Sequence, residues 1–190
     1  YQLKEQTVVL RHYWRGGFMQ NLSKDAYFWT GLSRTRSYRE WRLLHALEDL
    51  ELPSARPVAL RIKRSGLCYR SDIVTEEIED TESFAEILSR RPATDEEWRR
   101  VGESIQRFHD SQVFHADLNA NNLLLSSATC HWIDFDRGRI QKGDRWKASV
   151  IARLRRSLEK LQNKHEPFYF TESGWAQLLA ASRISSDPAD

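Results

Sequence analysis

The sequence predicts an α+β fold of two lobes, a small strand-rich lobe followed by a helical one. Three observations support this prediction. Strand-like segments with a single helix among them occupy the N-terminal part of the chain, and an acidic connector follows at 76–82. Beyond the connector the patterns are mainly helical, with one short hairpin. The cleft between two such lobes is the expected ligand site.

The N-terminal lobe is predicted to begin with a strand. Gln6 to Tyr13 (QTVVLRHY) is rich in β-branched residues, and Arg15-Gly16-Gly17 ends it. Residues 37–47 predict a helix, because apolar residues recur at intervals of three. The predicted apolar stripe consists of Tyr38, Trp41, Leu44 and Leu47. Two further strands, at 58–62 and 67–75, are joined by a tight turn.

The clearest helix of the second lobe starts at a capping-box pattern. Thr94 and Glu97 have the spacing at which each side chain caps a free amide near the other residue. Apolar residues then follow at spacings of three and four, namely Trp98, Val101, Ile105 and Phe108. A helix is therefore predicted from this point.

The remaining elements of the second lobe are a hairpin and two helices. Two apolar stretches, 123–125 and 130–133, are separated by a small polar turn, which predicts the hairpin. Residues 150–161 have the periodicity of an amphipathic helix, and 175–179 predict a short final helix.

Composition limits the possible classes of protein. The chain has 190 residues and a formal net charge of +2, with 40% hydrophobic and 29% charged residues, as is usual for a soluble globular protein. One domain is expected at 1–190, with the first lobe and hinge at 1–78 and the second lobe at 79–190. No apolar run or signal peptide is evident, so an intracellular protein is expected. Cys68 and Cys130 lack a metal-binding spacing and are expected to be reduced thiols.

The chemistry is concentrated in two short segments. Residues 115–122 (HADLNANN) fit the pattern His-x-Asp-x-x-x-x-Asn, and Asp134 ends the second strand of the predicted hairpin. Phosphoryl transfer needs a carboxylate near the attacking hydroxyl and hard oxygen ligands for magnesium. Asp117 is the candidate base, with Asn122 and Asp134 as candidate metal ligands.

Two histidines near this pattern are interpreted as structural. His109 and His115 lie in or just before the loop, where histidine more often supports the backbone than performs catalysis. Two alternatives to an active enzyme remain at this point. The pattern is either a chance loop or the remnant of an inactive kinase.

The two segments also resemble a known superfamily. Residues 115–122 and 134–136 are similar to the catalytic loop and the metal-binding Asp-Phe-Gly of protein-kinase-like enzymes, with Asp136 in place of glycine. Together with Val9 to Gly17 (VLRHYWRGG) and Ile133 to Arg139 (IDFDRGR), they resemble the lipopolysaccharide-core kinase family, which includes kinases of 3-deoxy-D-manno-octulosonic acid (Kdo). The resemblance runs through essentially the whole chain.

The resemblance implies a protein-kinase-like bilobal fold and a reaction. The γ-phosphate of ATP would be transferred, with Mg²⁺, to a hydroxyl of Kdo, expected to be O4, on Kdo-lipid A or its precursor. Glu40 matches the helix glutamate that pairs with a strand cation, and Arg11 stands where most kinases have lysine. The hinge backbone at Glu76 and Ile78 would contact adenine.

Besides Arg11 and Asp136, the chain departs from the general kinase pattern in three places. No glycine-rich phosphate loop precedes the first strand, so a truncated N-terminus is expected, with that loop upstream of Tyr1. Asn119 occupies the position where protein serine/threonine kinases usually have lysine. No Ala-Pro-Glu segment follows Asp136, so a protein substrate is not expected.

Basic residues follow directly on the predicted metal loop. They are candidates for gripping an anionic sugar and its carboxylate. The four assigned here are Arg137, Arg139, Lys142 and Arg145, with Lys147 following them. The alternative is a solvated basic loop with internal salt bridges.

Aromatic and basic residues are interleaved in 15–36, a mixture that suits an anionic membrane interface. Peripheral attachment to the cytoplasmic side of the bacterial inner membrane is one expectation. The alternative is that Tyr27, Phe28 and Trp29 pack in the core. The expected partners are a glycolipid of the Kdo-lipid A type and the membrane surface, without nucleic acid.

Three functions remain open on sequence alone. The first is the Kdo-lipid A kinase. The second is a kinase for a soluble small molecule of the aminoglycoside or choline type, which would favour an acidic pocket for a cationic acceptor. The third is a non-catalytic nucleotide-binding pseudokinase, suggested by Arg11 and the missing glycine-rich loop.

Overall fold

The computed structural model describes residues 2–3, 6–14 and 26–183 of the chain, and it confirms the predicted α+β class. The first lobe contains β1 (Gln2–Leu3), β2 (Gln6–His12), β3 (Tyr27–Phe28), α1 (Arg36–Asp49), β4 (Pro57–Ser65) and β5 (Cys68–Glu76). The second contains β6 (Glu82–Ser83), α2 (Phe84–Arg90), α3 (Asp95–Asp110), β7 (Val113–Phe114), β8 (Leu123–Leu125), β9 (Cys130–Trp132), β10 (Arg139–Ile140), α4 (Lys147–Lys164) and α5 (Glu172–Ser182). The predicted break at 15–17 and much of the predicted membrane segment lie outside the described residues.

The first lobe is built on an antiparallel sheet with β5 at its centre. β2 and β3 pair with one edge of β5, and β4 pairs with the other. Arg11 pairs with Ile73 and Val9 pairs with Thr75. These alternate residues of β2 therefore lie directly beside alternate residues of β5. The predicted strands are confirmed, and β4 extends to Ser65 because its hairpin with β5 continues up to the turn at Gly66.

Helix α1 packs on this sheet through a face one position away from the predicted stripe. Leu43, Leu44 and Leu47 are buried, whereas Tyr38 and Trp41 are only half-buried. The two aromatic rings lie at the margins of the buried face, where large side chains can cover apolar surface and still reach solvent. Glu40 lies on the buried face, which places its carboxylate inside the protein.

Helix α2 follows the connector and was not predicted. Ser83 accepts a hydrogen bond from the Glu86 amide, and the Glu86 side chain accepts one from the Ser83 amide. This capping box is visible in the sequence as Ser-x-x-Glu, so it was an overlooked signal. Phe84 and Leu88 are fully buried and attach the helix to the core.

Helix α3 begins at the predicted capping box. Thr94 and Glu97 cap each other's amides, and Arg91 also binds the Glu97 carboxylate. The hydrogen bonds from Arg91 and Thr94 lower the pKa of Glu97 to about 2, despite the opposing effect of burial. The helix therefore starts at a fixed point, and its apolar face from Trp98 to Phe108 is buried as predicted.

Two glycines let α5 lie directly on α3. A Cβ added at Gly102 would lie 2.3 Å from the carbonyl oxygen of Leu178. One added at Gly174 would lie 2.3 Å from the indole ring of Trp98. Such distances leave no room for a side chain, so the two helices can approach this closely only with glycine at both positions.

The predicted hairpin is β8 and β9, which β6 extends to a three-stranded sheet. A second small pairing, between β7 and β10, was not predicted because each strand has only two residues. This pairing fixes the segment after the metal motif to the segment before the catalytic loop. The two motif segments are therefore tied together on both sides.

An aromatic cluster supports both motif segments from below. The rings of Phe108 on α3 and Trp132 on β9 are stacked, with centroids 4.1 Å apart. Phe135 lies 6.0 Å from Phe108 and 4.9 Å from His115, measured between ring centroids. Because Phe108, Trp132, Phe135 and His115 are fully buried, this cluster anchors the catalytic and metal loops to the helical lobe.

Cys68 is partly buried and Cys130 is buried, and neither forms a disulfide. Burial raises the pKa of the Cys130 thiol to about 12, so this thiol is inert at neutral pH. None of the helices in the described part of the chain has the length and apolar character needed to cross a bilayer.

Candidate active site

A pocket of about 290 Å³ lies between the two lobes. One wall comes from β2, α1 and the end of β5. The other wall comes from the end of the short 3₁₀ helix at 120–122, from β8 and from the segment after β9. All six residues that the sequence assigned to nucleotide or metal line this pocket: Arg11, Glu40, Glu76, Ile78, Asn122 and Asp134. Apolar walls from both lobes complete it, as expected for a nucleotide site.

Arg11 links the two lobes across this pocket. Its guanidinium donates to the Glu40 carboxylate on α1 and to the Asp134 carboxylate of the metal motif. The pairing with Glu40 that the sequence implied is therefore present. Burial alone would lower the pKa of Arg11, but the two carboxylates more than offset this and raise it. Arg11 is charged, and its planar fork holds two anions at once.

Glu40 has a second partner that the sequence interpretation missed. The Tyr13 hydroxyl donates to the other carboxylate oxygen of Glu40, and the Glu40 side chain is only 2% exposed. Burial raises the pKa of this carboxyl group, while Arg11 and Tyr13 oppose the shift. Tyr13 was detectable in principle, because it is two residues beyond Arg11 and so emerges on the same side of the strand.

His115 holds the catalytic loop in place and is not exposed to a substrate. Its Nε2 lies 3.0 Å from the Ile133 carbonyl oxygen, and its Nδ1 accepts from the Asp117 amide at 3.2 Å. This pattern requires the neutral tautomer with hydrogen on Nε2. Burial lowers the pKa of His115, which favours that neutral form. The structural interpretation of this histidine fits these contacts.

His109 is also buried, and it packs edge-on against Trp146 with ring centroids 5.0 Å apart. Neither of its ring nitrogens has a hydrogen-bond partner among the described residues. Burial is the main reason that the pKa of His109 is lowered to about 4, so the ring is neutral at physiological pH. It is part of the core and lies outside the pocket lining.

The loop from Asp117 to Asn122 closes on itself. The Asp117 carbonyl accepts from the side-chain amides of Asn119, at 2.9 Å, and Asn122, at 3.1 Å. Asn119 in turn accepts from the Asn121 amide at 3.0 Å. The Asp117 side chain remains exposed, outside the pocket lining, whereas Asn122 is buried with its amide nitrogen committed to the loop.

The hairpin returns Asp134 to the same place. The Ile133 amide donates to the Asn122 carbonyl at 3.1 Å, so the residues before Asp134 run alongside the catalytic loop. Asp134 has a φ of 61°, in the left-handed region that only a few residue types adopt readily. This backbone conformation aims the carboxylate into the pocket, where Arg11 contacts it.

Asp136 replaces the usual glycine of the motif and has a defined partner. The Arg36 guanidinium binds both of its carboxylate oxygens, with Nε at 2.9 Å from Oδ1. Arg36 is the first residue of α1, and it also donates to the Tyr27 hydroxyl at 3.0 Å. The metal loop is thereby attached to the start of the helix that carries Glu40.

The four predicted acceptor residues divide into two groups. Arg137 and Arg139 line a second cavity of about 810 Å³ beside α1, together with three arginines of that helix. Lys142 and Arg145 are exposed on the following segment, outside the lining of both cavities. The three helix arginines, Arg36, Arg39 and Arg42, were missed, although their spacing of three along a predicted helix was a usable signal.

The three consecutive aromatic residues of the predicted membrane segment differ in burial. Tyr27 is buried and stacks on Tyr69, so the core-packing alternative is correct for this residue. Phe28 is 63% exposed and Trp29 is half-buried. Leu67, next to them, is 76% exposed. The surface at β3 is therefore partly apolar.

Comparison with known proteins fits this geometry. The sequence profile of the lipopolysaccharide kinase (Kdo/WaaP) family matches residues 1–181. The chain belongs to this family. A 3-deoxy-D-manno-octulosonic acid kinase of Haemophilus influenzae (strain 86-028NP) is 43% identical over 179 residues, covering 91% of this chain and 74% of that protein. The kinase of that name from Vibrio cholerae serotype O1 is 41% identical over 160 residues, covering 84% of this chain and 68% of that protein.

A solved structure shows the same fold. The structure titled "WaaP in complex with acyl carrier protein" superposes on this chain with a TM-score of 0.59 at 20% identity. It covers 77% of this chain and 66% of the solved one. This similarity confirms the bilobal kinase-like fold. Family membership makes the chain a phosphotransferase with an alcohol group as acceptor, and it implies ATP as the donor.

Proposed function

We propose that this chain transfers the γ-phosphate of ATP to O4 of the Kdo sugar on Kdo-lipid A or its precursor, in lipopolysaccharide core biosynthesis. The observation that carries the proposal is the interlobe pocket, where Arg11, Glu40, Asn122 and Asp134 meet and where Asn122 is hydrogen-bonded to the backbone of Asp117. Relatives of about 40% identity named Kdo kinases support the choice of acceptor.

Asp117 is the proposed base. In a loose phosphoryl-transfer transition state the acceptor hydroxyl loses its proton late, so the carboxylate mainly orients the attacking oxygen. The loop supports this role, because Asp117 is held through its backbone amide by His115 and through its carbonyl by Asn122. The side chain itself takes part in none of these backbone contacts and faces solvent.

Asn122 and Asp134 are the proposed ligands of Mg²⁺. The donor set fits this ion, because a carboxylate and an amide oxygen are hard ligands that leave positions for phosphate oxygens and water. The Asn122 nitrogen is committed to the Asp117 carbonyl, so its side-chain oxygen is the atom left to bind the ion. Magnesium, when bound, neutralises charge on the bridging phosphate oxygens.

The remaining pocket residues are assigned to the nucleotide. Arg11, which Glu40 holds in position, is proposed to bind a phosphate through its guanidinium fork. The Glu76 amide donates to the Arg56 carbonyl at 2.9 Å, so the proposed contact of Glu76 with adenine falls to its carbonyl. The amide of Ile78 is the proposed second hinge contact.

For the acceptor, Arg137, Arg139, Lys142 and Arg145 are the proposed contacts with the anionic sugar. The surface with Phe28 is the proposed point of peripheral attachment to the cytoplasmic side of the inner membrane.

The proposed boundaries are one domain at 1–190, with lobes at 1–78 and 79–190. A cationic small-molecule acceptor is disfavoured by the arginines around the second cavity.

The function is tested with the full-length protein, ATP, magnesium and Kdo-lipid A, following phosphate incorporation. Phosphate should appear on the Kdo residue, and mass spectrometry of the released sugar should place it on O4. Aminoglycoside and choline acceptors serve as controls. Transfer to one of these acceptors, with none to Kdo-lipid A, would contradict the proposal.

A further inference from the structure

The cavity of about 810 Å³ beside α1 is lined by arginines from two separate segments. One wall is the exposed side of α1, and the other is the loop that runs from Arg137 into β10. The lining contains five arginines, Arg36, Arg39, Arg42, Arg137 and Arg139, and no acidic residue. The cavity is therefore strongly positive and open to solvent.

Most of this charge is uncompensated. Arg36 is neutralised by Asp136. Within the described part of the chain, Arg39, Arg42 and Arg137 form no ion pair, and Arg139 has its guanidinium 4.1 Å from the centre of the Phe114 ring. Like charges this close repel one another, which a bound anion would relieve. Of the basic residues after Asp136, Lys147 forms an internal ion pair with Asp144, whereas Arg137 and Arg139 are exposed and have no such partner among the described residues.

The two walls are held at a fixed separation. A Cβ added at Gly138 would lie 2.8 Å from Leu43 Cδ2 and 2.9 Å from the Phe135 carbonyl oxygen, so the loop touches α1 directly. Arg137 and Arg139 flank Gly138 on the loop, while Arg39 and Arg42 lie about one helical turn apart on α1, both before Leu43 in the sequence. The cavity is thus formed where α1 and this loop pack against each other.

The surroundings of the cavity point to an amphipathic ligand. Ser33, in the short turn before α1, lines the cavity, and its neighbour Leu32 is 46% exposed. The chain before this turn carries the exposed Phe28, and the Trp29 amide donates to the carbonyl of the exposed Leu67 at 2.8 Å. A basic cavity and an apolar surface are therefore joined by one turn.

We infer that this cavity binds a phosphate group of the lipid acceptor, separately from the site at which the Kdo hydroxyl reacts. This inference refines the proposed function, because it assigns Arg137 and Arg139 to the lipid phosphate and leaves Lys142 and Arg145 as the contacts with the anionic Kdo sugar. The inference rests on the proposed function, because lipid A is a glycolipid whose sugars carry phosphates and acyl chains. Guanidinium groups bind phosphate through paired hydrogen bonds. Two arginines from α1 and two from the loop can surround one such dianion, while the acyl chains meet the apolar surface with Phe28 and Leu67.

The test is vesicle binding, which needs no catalysis. The full-length protein is sedimented with phosphatidylcholine vesicles that contain either intact lipid A or enzymatically dephosphorylated lipid A. Intact lipid A should bind more tightly, and Arg39→Gln/Arg42→Gln should weaken that binding about tenfold. The matched control is Arg153→Gln/Arg156→Gln, which removes the same charge at the same spacing from the exposed side of α4.

Two further measurements, with a second variant and with a soluble competitor, complete the test. Arg137→Gln/Arg139→Gln changes the opposite wall and should have the same effect, which covers the case in which the first variant unfolds. Equal loss of binding in the α4 control would overturn the inference, since it would show general attraction to charge. In the second, inorganic pyrophosphate is added at the same concentration of phosphate groups as the lipid A. If it displaces the protein from the vesicles, the cavity binds a soluble anion and its assignment to the lipid is wrong.

The outcome is separable from the proposed function. If intact lipid A binds in the expected way but no phosphate is transferred to Kdo-lipid A, the proposed reaction is wrong and the assignment of the cavity is retained. If transfer occurs at the same KM for intact and dephosphorylated acceptors, the reaction stands and the cavity assignment is wrong.

Discussion

The side-chain amide of Asn122 donates a hydrogen bond to the backbone carbonyl of Asp117 over 3.1 Å. The proposed metal ligand thus holds the proposed base, and the five-residue spacing between them is what allows the loop to close. The same bond commits the Asn122 side-chain nitrogen to the loop, which leaves its side-chain oxygen for the proposed metal. The motif is therefore one folded unit with two linked roles.

Replacement of the proposed base should lower turnover strongly and leave the fold intact. Asp117→Asn keeps the size of the side chain and lies on an exposed position, so little stability is at risk. The value of kcat should fall by a factor of about 100 to 10,000, the usual contribution of a positioned base. Phosphate transfer and thermal unfolding are measured on the same samples. An unchanged kcat would remove Asp117 from the mechanism.

Replacement of the proposed metal carboxylate should change the magnesium requirement. Asp134→Asn retains a residue that tolerates a positive φ but carries no charge. The magnesium concentration for half-maximal rate should rise about tenfold or more, because a charged hard ligand is lost. Asp49→Asn, at the exposed end of α1, is the control. The same magnesium titration curve in both variants would exclude Asp134 as a ligand.

Arg11 should not be replaceable by lysine. Its two guanidinium arms contact Glu40 and Asp134 simultaneously, and an ammonium group cannot match that planar fork. Arg11→Lys should therefore lower kcat/KM for ATP about tenfold. Arg156→Lys on the exposed side of α4 serves as the matched control. Full activity of Arg11→Lys would show that a point charge is sufficient.

Stability should fall in mild acid because of His109. The pKa of this imidazole is lowered from 6.5 to about 4, first by burial and then by Lys147, with Asp110 and Asp144 opposing. Between those values the unfolded chain binds a proton that the folded chain excludes, so the free energy of unfolding decreases as pH falls. The full loss is about 3 kcal/mol, of which about 1 kcal/mol is reached by about pH 5.5.

Urea denaturation at neutral pH and at about pH 5.5 measures this effect. The variant His109→Gln removes the titrating group, and its free energy of unfolding should change less over the same interval than that of the unmodified protein. Equal pH dependence of the two proteins would assign the acid sensitivity to other groups, among them the buried His115.

Local patterns made much of this site predictable. The spacing from His115 to Asn122 and the strand that ends at Asp134 are contiguous signals, and they identified the motif residues without a structure. The capping box at Thr94 did the same for α3. The box at Ser83 carries an equal signal for α2, which was overlooked because no element was assigned between the connector at 76–82 and the box at Thr94.

The parts that were missed depend on contacts between distant segments. Tyr13 reaches Glu40, and Arg36 reaches Asp136 a hundred positions later, and neither pairing leaves a local pattern. The cavity beside α1 exists only because Gly138 touches Leu43. Helical periodicity also put Tyr38 and Trp41 on the inner face, whereas packing on the sheet favoured the smaller leucines there.

The pair of Arg36 and Asp136 has a pharmacological consequence. In protein kinases the packing of the phenylalanine in this motif distinguishes the active from the inactive state. Here the residue after Phe135 is bound to α1, and the ring is buried against Phe108 and His115. A compound that displaced the Phe135 ring would have to break all of these contacts. Inhibitors of this enzyme are better sought among molecules that fill the interlobe pocket with its loops in place.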